Sequence, residues 1–109
     1  MITGTMIVGS EDARRTIRGL NSIEGGFDFQ HFTVHQSNLP LGKHAHRFRQ
    51  EAFTILTGGG FVLVVRIDTN GQILELPARI NLESGSVIRF GRLEAHTFYL
   101  DPGTEMICF

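Results

Sequence analysis

Short runs of apolar and β-branched residues, separated by turn-forming residues, dominate the chain. The runs lie at residues 29–36, 52–56, 61–67, 87–90, 96–100 and 105–109. Clusters of Gly, Asn, Pro and Ser separate them at 25–26, 38–40, 58–60, 70–71, 84–86 and 102–103. Strands this short, with a turn about every ten residues, are typical of a β-sandwich or β-barrel. The pattern therefore predicts an all-β domain, with a hairpin turn at residues 68–71.

The segment 10–18 gives an ambiguous signal. Ser10 is a suitable helix N-cap, and Glu11 and Asp12 suit a first helical turn. The apolar periodicity that a helix requires is poor in this segment. A short N-terminal helix, a strand and an irregular arm all remain open.

The run 61–65 is apolar at every position, Phe-Val-Leu-Val-Val. A strand with one face in water alternates apolar and polar residues. We therefore expect this strand to pack on a second sheet on one side and on a partner subunit on the other. A homodimer is the favoured interpretation, and a buried central strand is the alternative.

Length, charge and cysteine content narrow the function classes. At 109 residues the chain has room for one core, so a single domain over 1–109 is expected. The net charge of −1 and the scattered basic residues argue against a nucleic-acid partner. The sequence contains no apolar run of roughly 18 residues and no recognisable secretory signal. We therefore expect a cytoplasmic protein with no membrane partner. The single Cys108 excludes an internal disulfide, and its apolar neighbours predict a buried structural thiol.

Chemistry-bearing side chains concentrate in residues 42–58. In an extended chain His44 and His46 point to the same face, because side chains alternate along a strand. Two imidazoles so placed can chelate one ion. Glu51 opens the next apolar run, and a bend over 47–50 brings its carboxylate back toward the histidines. A lone His-x-His is a weak signal, so the prediction depends on a second segment.

That second segment is residues 85–96. A glycine turn at Gly85 leads into a strand, a loop follows, and His96 opens another strand. The alternation of side chains places His96 on one face with Phe98 and Leu100. The two segments together supply three imidazoles and one carboxylate.

These segments resemble the paired motifs of the cupin superfamily. The first cupin motif places His-x-His, then Glu, then Gly, and His44, His46, Glu51 and Gly58 keep its spacing. The second places Gly, five residues, Pro-x-Gly, two residues and His. Gly85 and His96 keep that register.

Two positions depart from the second motif. Gly91 stands where cupins carry proline, and Leu93 stands where they carry glycine. The departures affect the loop before His96 rather than the ligand itself. All four ligand positions of the family are filled in this chain.

The resemblance implies a double-stranded β-helix, the jelly-roll barrel of the cupins, with one divalent metal in its mouth. The implied ligands are His44, His46, Glu51 and His96. Physical chemistry agrees, since these groups are costly to bury in an apolar barrel unless a cation satisfies them. A mixed nitrogen and oxygen set of this kind suits Fe, Mn, Ni, Cu, Co or Zn, without choosing among them.

Neighbouring residues offer candidates for acid–base chemistry. His31 and His35 share a face of the preceding strand, and Gln50 flanks the first motif. They are weak candidates for catalysis or for orienting a metal ligand, and surface or core positions are the alternative. Tyr99 is expected to face away from His96.

Three function classes remain, because the cupin fold hosts many chemistries. The first is a metal-dependent enzyme, a dioxygenase or isomerase, acting on a small polar or sugar-like substrate. The second is a metal-independent nucleotide-sugar isomerase or epimerase of polysaccharide biosynthesis. Cupins of that kind tend to carry Gln where this chain has Glu51, which favours a metal. The third is a non-catalytic cupin that binds or senses a small ligand.

Overall fold

A computed structural model describes residues 7–19, 30–35, 41–44 and 51–108. Within these ranges the chain forms strands and turns and no helix. The strands are β1 (Ile7–Glu11), β2 (Arg15–Gly19), β3 (Gln30–Val34), β4 (Leu41–His44), β5 (Glu51–Thr57), β6 (Gly59–Arg66), β7 (Ala78–Glu83), β8 (Val87–Phe90), β9 (Glu94–Leu100) and β10 (Glu105–Cys108). The all-β prediction is confirmed.

The strands form two antiparallel sheets. One sheet has six strands in the order β1-β2-β3-β10-β5-β8, and the other has four in the order β4-β9-β6-β7. From β3 onward most strands pair with strands distant in sequence, so the chain crosses repeatedly between the sheets. This is the two-layer arrangement that short strands and frequent turns predict.

The core lies between the sheets and follows the alternation of side chains. On β5, Phe53 and Ile55 are buried, and on β9, Phe98 and Leu100 are buried. Val62 of β6, which is fully buried, lies among them. Cys108 is half-buried and packs against this core, rather than lying within it as the sequence predicts.

The ambiguous segment 10–18 belongs to two strands and not to a helix. β1 and β2 pair as an antiparallel hairpin, and β2 continues the sheet onto β3. Asp12 closes the turn, since its backbone N–H donates to the carbonyl oxygen of Arg15 at 3.0 Å. Asp12, which the helical interpretation assigns to the first turn of a helix, thus closes a β-hairpin.

The predicted turn at residues 68–71 is confirmed. The N–H of Gly71 donates to the carbonyl oxygen of Asp68 at 3.0 Å, and Gly71 has a φ of 82°. The Asp68 carboxylate accepts the backbone N–H groups of Asn70 and Gln72, each at 2.9 Å. This turn reverses the chain toward β7, which pairs with β6.

The apolar strand β6 lies in the middle of the four-stranded sheet, between β9 and β7. Val62 faces the six-stranded sheet, whereas Phe61, Leu63 and Val65 are half-buried on the opposite face. The expected packing on a second sheet is therefore confirmed, and the homodimer stays a prediction. None of the described residues belongs to a helix long and apolar enough to cross a membrane.

Candidate functional site

A carboxylate and an imidazole meet inside the fold at Glu51 and His96. Oε2 of Glu51 lies 3.6 Å from Nε2 of His96, and the side chains are 7% and 1% exposed. Glu51 opens β5 in the six-stranded sheet, and His96 lies near the start of β9 in the four-stranded sheet. Two of the predicted ligands, distant in sequence, thus come together across the two layers.

Aromatic side chains fix the imidazole ring of His96. The Phe90 ring stacks on it at a centroid distance of 3.9 Å and an interplanar angle of 5°. Phe53 and Phe98 contact it edge-on, with centroids 5.9 and 5.8 Å away. Because these rings are themselves buried, the imidazole has little freedom to reorient.

A backbone carbonyl contacts the other ring nitrogen of His96. Nδ1 lies 3.3 Å from the carbonyl oxygen of Glu94, and a carbonyl oxygen can only accept a hydrogen bond. In a neutral His96 this contact would place the proton on Nδ1 and leave Nε2 facing the Glu51 carboxylate, whereas a protonated His96 would pair with that carboxylate directly. Metal-binding histidines are commonly oriented by this kind of contact.

The pair fits a divalent cation. A lone pair and a carboxylate oxygen facing each other repel unless a proton or a cation lies between them. Two ligands that each sit about 2.1 Å from one ion are roughly 3.0–3.5 Å apart. The observed 3.6 Å is close to that range and longer than an ordinary hydrogen bond.

The other two predicted ligands are less completely described. In the antiparallel pairing of β4 with β9, the backbone of His44 lies directly opposite that of His96. Such partners have Cα atoms about 4.5–5.5 Å apart. His46 and Gln50 lie outside the described residues. Among the residues that are described, no group of three or more His, Cys, Asp or Glu side chains converges.

The loop before His96 has a left-handed residue at the position where the second motif carries glycine. Leu93, at the position where cupins carry glycine, has a φ of 61° in the left-handed region. The carboxylate of Glu94 accepts the backbone N–H of Gly91 at 2.7 Å, and the Leu93 carbonyl accepts the N–H of Ile67 at 3.0 Å. These hydrogen bonds hold the turn although Gly91 replaces the proline of the motif and Leu93 replaces its second glycine.

The first motif ends at a glycine for a physical reason. Gly58 has a φ of 91°, and a Cβ placed there would collide with the side chain and backbone of Thr104. Thr104 is fully buried, and its hydroxyl bonds to the N–H and carbonyl groups of Gly59 at 3.1 and 3.2 Å. Gly58 therefore allows β5 to turn into β6 against β10.

His31 and His35 are not brought to the pair. Phe32 and Val34 of β3 pack against or within the core, so His31 lies on the opposite face of the six-stranded sheet. His35 Nε2 lies 2.6 Å from the hydroxyl of Thr16 on β2. The described contacts therefore give no support to a catalytic role for these two histidines.

A cleft of about 430 Å³ opens beside the pair, between the edges of β7 and β8. Its lining combines six apolar residues, Val64, Ala78, Ile80, Val87, Ile88 and Phe90, with four charged ones, Arg66, Glu75, Arg89 and Glu94. The lining residue Val64 is the strand partner of His96, and Phe90 is the strand partner of Glu51. The cleft therefore adjoins the strand positions of Glu51 and His96, although neither residue is in its lining.

Sequence reasoning missed the supporting roles of Phe90 and Glu94. Phe90 stacks on His96, and Glu94 contributes both its carbonyl and its carboxylate to the loop. Tyr99 faces away from His96 as expected, stacked on Phe61 at 5.0 Å. Because side chains alternate along β9, the sequence is sufficient to predict that Tyr99 faces away from His96. The stacking of Phe90 on His96 depends instead on which strands pack together, and the sequence does not show this.

Comparisons with known proteins give a fold and not a close relative. No protein-family model matches the chain, and no curated protein matches it. Solved structures do match. Drosophila melanogaster CENP-C bound to CAL1 has a TM-score of 0.74 at 12% identity, covering 95% of this chain and 75% of that one. That domain of CENP-C is a cupin domain. This chain has the cupin fold.

Of two further cupin-fold matches, one is an assembly protein by name and the other is an enzyme. The capsular polysaccharide assembling protein CapF of Staphylococcus aureus has a TM-score of 0.76 at 13% identity, covering 97% of this chain and 28% of that one. Hydroxypropylphosphonic acid epoxidase of S. wedmorenis has a TM-score of 0.69 at 14% identity, covering 99% of this chain and 58% of that one. The jelly-roll architecture expected from the motifs is thus confirmed, and identities this low carry the fold alone.

Proposed function

We propose that this chain is a small metal-binding cupin. Four side chains would hold one divalent ion: His44, His46, Glu51 and His96. The observation that carries the proposal is the buried pair of Glu51 and His96, with Nε2 facing the carboxylate at 3.6 Å. Burying a carboxylate and an imidazole side by side costs free energy, and a bound cation would offset that cost.

The site would serve an enzyme acting on a small polar or sugar-like substrate, of the dioxygenase or isomerase type. A bound metal supplies Lewis acidity and open coordination positions there. The carbonyl of Glu94 would orient the imidazole of His96 through Nδ1, and the ring of Phe90 excludes water from one side of the imidazole. The cleft would bind the substrate, and its lining includes Arg66, which forms an ion pair with Glu75 at 3.1 Å.

Two alternatives belong to other classes. CapF takes part in capsular polysaccharide assembly by its name, which favours a sugar-nucleotide context for a chain of the same fold. Metal-independent isomerisation or epimerisation would then use His44 and His46 as acid–base groups. The third class is a ligand-binding or sensing cupin without turnover. For the metal-dependent class, the Fe(II) form of the epoxidase offers a precedent on the same fold.

Elemental analysis of protein purified without added metal or a histidine tag tests the proposal. We expect near-stoichiometric Fe, Mn, Ni, Cu, Co or Zn in the parent, and its loss in a His46→Ala/Glu51→Ala double variant. His31→Ala is the matched control, because it removes a half-buried imidazole on the face of the six-stranded sheet opposite to the core. That variant should keep its metal.

The outcomes separate the three classes. A folded parent that is metal-free and takes up no added ion contradicts the metal site and favours metal-independent sugar chemistry. A metal-loaded parent that consumes O₂ or converts a member of a carbonyl and sugar panel supports the enzyme. A loaded parent that does neither supports the ligand-binding cupin.

A further inference from the structure

The cleft between β7 and β8 is a gap between the last strands of the two sheets. β8 ends the order of the six-stranded sheet, and β7 ends the order of the four-stranded sheet. Ile80 of β7 lines this gap and is 47% exposed, although it shares a face of its strand with the buried Leu82. An inward-facing isoleucine with this exposure shows that the described strands leave the core open to a ligand on this side.

Most of the inward-facing side chains of the cleft are aliphatic. Val64 of β6 shares a face with the buried Val62, and Ile88 of β8 shares a face with the buried Phe90. Both Val64 and Ile88 pack against the core and line the cleft. Three strands thus present apolar surface to the occupant of the cleft, which favours a ligand with an apolar body.

One cation shares the inward face of β6, and two carboxylates compensate its charge. Arg66 occupies the next inward position after Val64, and its Nε donates to Oε1 of Glu75 at 3.1 Å. Glu94, the strand partner of Arg66, also lines the cleft. The other cation of the lining, Arg89, alternates with the inward residues of β8, so its side chain leaves the strand on the opposite face. An anionic group in the cleft would compete with Glu75 for Arg66.

This charge balance makes binding depend on the charge of the ligand. A carboxylate or phosphate loses hydration when it enters a cleft with aliphatic walls, and the loss is offset only where a cation is available to pair with it. A hydroxyl or carbonyl group loses less hydration and can form a hydrogen bond with either member of the Arg66–Glu75 pair. The volume of about 430 Å³ lies toward the small end of ligand pockets, which span roughly 300–1,000 Å³.

We propose that the cleft binds an uncharged small molecule with an aliphatic body and a hydroxyl or carbonyl group, and that it discriminates against anions. The inference rests on the proposed function, because it names the substrate class of the cleft that adjoins the metal ligands. A nucleotide sugar carries an anionic diphosphate. The charge balance of the cleft therefore favours the metal-dependent class over the nucleotide-sugar class.

An NMR titration of the full, isotope-labelled chain with two matched probes tests the proposal. The probes are 1-hexanol and hexanoate, which share an aliphatic chain and differ in charge. We expect hexanol to shift the backbone amide signals of β7 and β8, and hexanoate to bind about tenfold more weakly or worse. Uridine diphosphate should leave these signals unchanged.

Glu75→Gln tests the charge argument separately from the shape of the cleft. The substitution keeps the size of the side chain and removes the ionic partner of Arg66. Hexanoate should then bind about threefold to fivefold more tightly than it binds the parent, the range expected for an exposed ion pair. The affinity for hexanol should stay within about twofold, since an uncharged group gains little from the released cation.

Ile80→Asp tests the location of the site, because it places a carboxylate among the aliphatic side chains. It should weaken hexanol binding by about tenfold. Val8→Asp is the matched control, since Val8 is 51% exposed and lies on β1, outside the lining of the cleft. That variant should bind hexanol as the parent does. Circular dichroism shows whether each variant is folded.

The outcomes keep the cleft and the metal site distinct. Hexanoate that binds the parent as tightly as hexanol overturns the proposal, and so does hexanol that shifts no signal of β7 or β8 up to its solubility. The titrations are run on chelator-treated and on metal-loaded protein. Selective hexanol binding by protein that takes up no ion supports the proposal and contradicts the metal site. Metal-loaded protein that fails to bind hexanol in the cleft supports the metal site and overturns the proposal.

Discussion

At the scale of single residues, Leu93 holds the loop before His96 in a conformation that favours glycine. A side chain at a φ of 61° costs roughly 1–2 kcal/mol, because Cβ approaches the following carbonyl. The loop keeps this conformation since Ile67 and Glu94 bond to it on either side. This strain lowers the stability of the folded state, and the hydrogen bonds of the turn offset it. The turn in turn places His96.

Leu93→Gly and Leu93→Ala test this strain as a pair. Both remove the same partly buried side chain beyond Cβ, so their difference reports the backbone. We expect the glycine variant to be more stable than the alanine variant by about 1 kcal/mol in urea unfolding. In ordinary strand or helix positions glycine is the less stable of the two. Equal stability, or a more stable alanine variant, would contradict the strained conformation.

At the scale of elements, the β1–β2 turn is held by a single carboxylate. Oδ1 of Asp12 accepts the backbone N–H of Arg14 at 2.8 Å, and Oδ2 accepts the guanidinium groups of Arg14 and Arg15 at 2.8 and 3.0 Å. The side-chain hydrogen bond from Arg14, followed by its backbone hydrogen bond, lowers the pKa of Asp12 well below its ordinary value. The turn therefore depends on an ionised carboxylate.

The lowered pKa of Asp12 determines how the stability of the hairpin changes with pH. A carboxyl whose pKa is lower in the folded state stabilises the hairpin above its unfolded pKa of about 3.9, and the contribution is lost as pH falls through the folded value. We expect Asp12 to titrate below about 3.9 when followed by NMR, and Asp12→Asn to remove this step from the Arg14 and Arg15 amide signals. A midpoint at or above the unfolded value would show that these contacts are absent in solution.

Strand prediction succeeds where β-branched and aromatic residues form continuous runs and fails where they do not. β5, β6, β8, β9 and β10 are all anticipated, because buried strands need such runs on one or both faces. β7 is an edge strand whose charged Arg79 and Glu83 break the apolar run, and it is missed. For the first hairpin the sequence leaves helix, strand and arm open, and pairing with β3 together with the Asp12 turn gives strands.

At the scale of the whole molecule, the site joins the two sheets. Glu51 and His96 can be selected from sequence because motif spacing fixes their place in the chain and strand parity turns them inward. Their 3.6 Å approach depends on β5 and β9 lying in facing sheets, which no local pattern encodes. The stacking of Phe90 and the cleft beside it depend on the same packing, so sequence alone misses them.

A metal held by ligands from both sheets should stabilise the fold against unfolding. Ligands that bind only the folded state add about 2.7 kcal/mol at a free concentration 100 times the dissociation constant. We therefore expect a chelator to lower the melting temperature of metal-loaded protein, and re-addition of the ion to restore it. Glu51→Ala should remove this response, because one sheet then lacks its carboxylate ligand. His31→Ala should retain it. A melting temperature that is unchanged by chelator in fully loaded protein would mean that the ion does not link β5 to β9.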